Sequence, residues 1–145
     1  MNQPTGSEIS AFFEEFAQRS GEPAAVDEFF DRHFLSLDPT SSSVVEATQL
    51  AAALPARAAM FRSVGAVRTD LTALTEQPLD ESHCLVSTTW SALDEDGQEV
   101  LALSSSFLLR RTERGWRIAV YLNHADIGRV IAQRHTPTET QPPPR

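Results

Sequence analysis

Residues 104–127 read SSSFLLRRTERGWRIAVYLNHADI. Two runs rich in Leu, Ile, Val and aromatic residues flank TERG, a four-residue turn that ends in Gly115. Such a pattern predicts an antiparallel hairpin. Pairing across the turn sets Arg111 opposite Trp116, and a regular ladder then gives Leu109–Ile118, Phe107–Val120, Ser105–Leu122 and Leu103–His124. One face of the hairpin becomes Leu101, Leu103, Ser105, Phe107 and Leu109 with Trp116, Ile118, Val120 and Leu122. It is the core face, and His124 shares it.

Working outward, DEDG at 94–97 is a second short turn ending in glycine. It places Cys84, Val86, Thr88 and Trp90 on the same inward face; a slip by one residue would put the more polar set Leu85, Ser87, Thr89 and Ser91 there. Strands are predicted over 66–76, 83–93, 98–111 and 116–124, rich in Val, Leu, Thr and aromatics. A brief helix from about 125 to 133 follows.

The first half has helical periodicity. Ile9, Phe12, Phe13 and Phe16 fall at i, i+3, i+4, i+7, one apolar stripe. Ser20-Gly21 ends that helix and Glu22-Pro23 opens the next, whose stripe is Val26, Phe29, Phe30 and Phe34. LDPTSSS at 37–43 breaks the pattern, and Val44-Val45 is a candidate extended piece. Residues 48–63 read as an Ala-rich helix with Thr48 as cap, Pro55 splitting or kinking it, and Gly65 closing it. Helices first and a meander afterwards predict an α+β domain over 7–134, between a small polar start (1–6) and a Pro-rich tail (135–145).

The chain has 145 residues, a net charge of −8 and 12 basic residues, all arginine. The acidity argues against a nucleic-acid partner, and the absence of lysine excludes Schiff-base chemistry. A single cysteine, Cys84, excludes an internal disulfide and any Cys-rich metal framework; a buried hydrophobe is the expected role. No signal peptide or membrane span is visible, so the expected setting is cytoplasmic. No phosphate loop, G-x-S-x-G or H-E-x-x-H occurs, and no cofactor or metal is expected.

Two N-terminal amphipathic helices, an interrupted third and a four-stranded meander closing on GWRIAVYLNHADI resemble the NTF2-like superfamily, which includes SnoaL-like cyclases, ketosteroid isomerases and limonene epoxide hydrolases. The likeness covers about residues 7–134. It implies N-terminal helices packed on a strongly curved antiparallel sheet, a cystatin-like cone whose open end holds a small apolar molecule. It also implies dimerisation through the outer sheet face, on which Ala102, Ser104, Ser106, Leu108, Ala119 and Tyr121 are expected. Neither family active site carries over. A steroid-isomerase-like site needs an inward tyrosine, and the only one, Tyr121, is expected outside; Asp38, Arg57 and Asp70 supply the residue types of an epoxide-hydrolase relay without a motif to join them.

An inward face that is apolar with a few polar groups has the character of a ligand cavity. Phe34, Thr88, Trp90, Leu103, Ser105, Phe107 and the helical His33 are its expected lining. Within it, His124 oriented by Asp126 is the candidate catalytic pair for cofactor-independent acid–base chemistry such as isomerisation, cyclisation or dehydration. The competing reading ends the strand at Asn123 and uses Asp126 to cap the following helix. Arg57 and Arg62 are candidates for a ligand carboxylate or for pairing with surface acids. His83 and His135 carry no role. Three functions stay open: binding of a small apolar molecule, acid–base catalysis on one, or a non-catalytic assembly module.

Overall fold

The computed structural model describes residues 5–135. The expected solvated ends therefore lie mostly outside the described residues, although Thr5, Gly6 and His135 belong to helices. Helix α1 (Thr5–Arg19) presents the predicted stripe, with Ile9, Phe13 and Phe16 buried. A single 3-10 turn at Pro23–Ala25 leads into a four-residue helix, α2 (Val26–Phe29).

At this point the chain departs from its helical periodicity. Phe30–Asp38 is a strand, β1, which turns back through Asp38–Ser41 into β2 (Ser41–Glu46). The spacing of Val26, Phe29, Phe30 and Phe34 satisfies a helix, but residues 30 and 34 also share a face in a strand. Tertiary pairing decides between them. β1 lies parallel to the last strand, with Leu35, Ser36 and Leu37 opposite Val120, Tyr121 and Leu122, and so satisfies backbone groups that would otherwise be an open edge. Asp38 fixes the reversal by accepting from the Thr40 N–H at 2.9 Å and the Ser41 hydroxyl at 3.0 Å. The Thr40 backbone bond, above all, holds its carboxyl below the usual range.

Helix α3 (Ala47–Arg62) runs through Pro55 without interruption. Its start is set by Glu46 rather than Thr48, with the Gln49 side-chain oxygen accepting from the Glu46 N–H at 2.8 Å. The meander follows as β3 (Arg68–Asp80), β4 (His83–Leu93), β5 (Glu99–Thr112) and β6 (Gly115–Asn123), and α4 (Ile127–His135) closes the fold. Gly97 and Gly115 take φ of 81° and 99° in the two predicted turns, a region that side-chain-bearing residues avoid.

Six strands, not four, form one curved, unclosed sheet in the order β2-β1-β6-β5-β4-β3. The inward set of β4 is the expected one, Cys84, Val86, Thr88 and Trp90, which pair with Leu109, Phe107, Ser105 and Leu103 beyond a register shift between Ala92 and Leu93. Against this inner face the helices bury an aromatic hub. Phe13 lies 5.0 Å and Phe16 5.8 Å from Phe107, and Phe16 lies 5.9 Å from Phe30. Cys84 is buried in the same core, where desolvation pushes its thiol pKa up. A second apolar cluster joins Ile127 and Ile131 of α4 to Ala66, Ala92 and Leu101.

Glu76 stands opposite Val86 on β3, and desolvation raises its carboxyl pKa. Ionisation is therefore less favourable in the folded chain, and stability falls as pH rises through its folded pKa. Glu76→Gln should stabilise the protein at pH 7 in urea unfolding, and the advantage should vanish below the ordinary carboxylate pKa of about 4.

Candidate functional site

The last strand carries one residue more than a regular ladder allows. Leu109 pairs with Ile118 and Leu108 with Val120, leaving Ala119 as a bulge. Beyond it the pairs become Phe107–Tyr121, Ser106–Leu122 and Ser105–Asn123. The expected register therefore fails past Ile118, and every later side chain changes face. Tyr121 and Asn123 turn inward, whereas Val120, Leu122 and His124 turn outward.

Inside, a cavity of about 930 Å³ lies between α1, α3 and the sheet. Its floor includes Phe16, Trp90, Leu103, Phe107, Tyr121 and Asn123, and Arg57 and Phe61 reach it from α3. The Tyr121 ring is stacked on Phe107, with centroids 5.1 Å apart and planes 6° from parallel. Arg57 Nη2 donates to Tyr121 Oη at 3.2 Å, and its guanidinium lies 5.5 Å from the centre of the Phe61 ring.

A polar row crosses three strands behind the apolar floor. Trp90 Nε1 donates to Thr88 Oγ1 at 2.7 Å, Thr88 Oγ1 donates to the Ser105 carbonyl at 2.9 Å, and Ser105 Oγ donates to Asn123 Oδ1 at 2.9 Å. Each buried hydroxyl thus has a partner, as burial requires. At the mouth, Arg68 and Asp70 are tied together at 3.2 Å.

Of the expected lining, Trp90, Leu103, Ser105 and Phe107 face the cavity. Thr88 is one bond behind it. Phe34 is core, its ring 4.6 Å from Phe30. His33 sits on β1 rather than on a helix, is exposed, and lies 3.6 Å from Glu46.

His124 and Asp126 are not brought together on the cavity. The exposed His124 Nε2 lies 2.8 Å from Ser106 Oγ on the outer face. Asp126 Oδ1 accepts from the Arg129 N–H at 3.1 Å, and its Oδ2 from Thr40 Oγ1 at 3.3 Å. That is the geometry of an N-cap on α4. Tyr121 and Asn123 were not expected at the site. The signal for them is cross-strand: a regular ladder sets Ser105 against Leu122 and Leu103 against His124, whereas one extra residue sets Ser105 against Asn123.

Among the described residues, no three His, Cys, Asp or Glu side chains converge as a metal set, and no helix is long and apolar enough to cross a membrane.

The family described as NTF2-like protein (DUF6841) matches residues 7–126. The chain belongs to this NTF2-like family. No curated protein matches the sequence. Solved structures similar to the NTF2-like chain share its fold at low identity. A domain of unknown function with a cystatin-like fold from Nostoc punctiforme is 13% identical with a TM-score of 0.68, over 95% of this chain and 88% of that one. An NTF2-like protein with a cystatin-like fold from Novosphingobium aromaticivorans is 16% identical with a TM-score of 0.65, over 88% of each chain. Aln2 from a Streptomyces species is 18% identical with a TM-score of 0.64, over 91% of this chain and 98% of that one.

The role of Asp126 separates by substitution. Asp126→Ala should cost about 1 kcal/mol in chemical unfolding, while Asp126→Asn, an equally good cap, should stay close to the parent.

Proposed function

We propose that this NTF2-like domain binds a small, largely apolar molecule in the cavity between α1, α3 and the inner sheet face. The observation that carries the reading is the floor itself. Trp90, Phe107 and Tyr121 offer broad aromatic surface inside about 930 Å³ of space, and a few fixed polar groups interrupt it. That combination suits a ligand pocket. Catalysis by His124 with Asp126 is not part of the proposal, because neither side chain lines the cavity. A cytoplasmic setting is in keeping with the lone, buried thiol of Cys84.

The domain also acts, in this reading, as a homodimer through its outer sheet face. Support comes from a row of aliphatic side chains paired across five strands, Val44, Leu35, Val120, Leu108 and Leu85. Val44 is 70% and Leu85 36% exposed in the single chain, a pattern that a partner would cover.

The neutral probe 2-naphthalenemethanol tests the cavity. In proton–nitrogen NMR it should shift the indole N–H of Trp90 and leave that of Trp116 unmoved, with Trp90→Phe identifying the signals. Equal shifts at both indoles, or none at Trp90, would count against the cavity. Light scattering at micromolar concentration should give a dimer mass for the parent and a monomer mass for Leu108→Glu; a monomeric parent would remove the dimer.

A further inference from the structure

Three polar side chains of the cavity, Arg57, Tyr121 and Asn123, turn donors toward one another's neighbourhood, whereas the acids of the lining are Glu14 and Asp70. Tyr121 Oη accepts from Arg57, which leaves the tyrosine O–H free to donate. Asn123 Oδ1 accepts from Ser105, which leaves its amide N–H groups facing the space. Arg57 has five N–H donors and no acceptor. Three donors thus converge on one region.

The charge balance points the same way. Arg19, Arg68, Arg110, Arg111 and Arg114 each have a carboxylate oxygen within 3.4 Å. Among the described residues Arg57 belongs to no ion pair, as is also true of Arg32, Arg62, Arg117, Arg129 and Arg134; of these six, Arg57 and Arg62 line the cavity. Arg57 is half-buried, with Phe61 beside its guanidinium and a phenol as partner. A cation held there without an anion lacks the compensation that burial normally demands.

We propose that Arg57, Tyr121 and Asn123 form an anchoring subsite for a carboxylate, and that the ligand of this cavity is an aromatic or otherwise apolar acid. The inference rests on the cavity-binding reading and narrows its ligand class. A carboxylate carries one charge, matching one arginine, and its planar pair of oxygens suits the guanidinium fork. The apolar body then lies against Trp90 and Phe107. The Trp90 N–H is already committed to Thr88, so the indole offers its ring and no further donor.

Isothermal titration of 2-naphthoate against 2-naphthalenemethanol at pH 7 tests the subsite. The parent should prefer the acid by about tenfold or more, a difference of about 1.4 kcal/mol. Arg57→Gln should abolish the preference while holding the alcohol within about twofold of its parent affinity, which also certifies an intact cavity. Arg57→Lys should keep part of the preference, and Tyr121→Phe should reduce it. Equal affinities in the parent, or a preference that survives Arg57→Gln, overturn the subsite and leave the cavity reading standing. Failure of both probes to bind the parent overturns the cavity reading and the subsite with it.

Discussion

β6 is hydrogen-bonded along both edges, antiparallel to β5 and parallel to β1. It has to satisfy two ladders while carrying one residue too many. Ala119 absorbs the excess, and the consequence is directional. Before the bulge, β6 delivers Trp116 and Ile118 to the inner face; after it, Tyr121 and Asn123 arrive there instead. The β1 register shows its own irregularity at the same level, between Phe30 and Leu35. The two neighbouring strands therefore bend together, which is how a sheet acquires curvature without losing its backbone bonds.

Curvature creates the space, and packing keeps it open. The aromatic hub of Phe13, Phe16, Phe30 and Phe107 fills one part of the concave face, while α4 covers another through Ile127 and Ile131. Between them the wall is fixed by two devices. Tyr121 lies flat on Phe107, and the Thr88–Ser105–Asn123 row is bonded across β4, β5 and β6. Side chains held in this way have already given up their rotamer freedom at folding.

Much of the architecture was legible because hairpin turns and alternation are local signals. The strands of the meander, the two glycine turns and the inward-facing set of β4 follow from residues close in sequence. β1 was not legible as a strand, since its parallel partner β6 lies more than 80 positions away, its adjacent partner β2 is rich in serine, and its apolar spacing suits a helix equally well. Thr48 lost the cap to Glu46 because the Gln49 side chain, three residues on, completes a reciprocal arrangement with Glu46. The site was legible only in part. Trp90, Leu103, Ser105 and Phe107 lie on the inner face that alternation gives them, whereas His124, Tyr121 and Asn123 follow the bulge and take the opposite face. A single inserted residue carries no composition signal of its own, and only the mismatch of polar against apolar across the ladder betrays it.

The sheet is unclosed, so β2 and β3 are left as free edges. Free edges invite pairing with a neighbouring chain. β2 is six residues long and passes directly into α3, which gives an incoming strand little to grip. β3 is thirteen residues long, but it holds Pro78 and the acids Asp70, Glu76 and Asp80. Proline removes a donor from the edge, and like charges on two such strands repel. An acidic, proline-interrupted rim thus steers copies of this chain away from growing edge to edge.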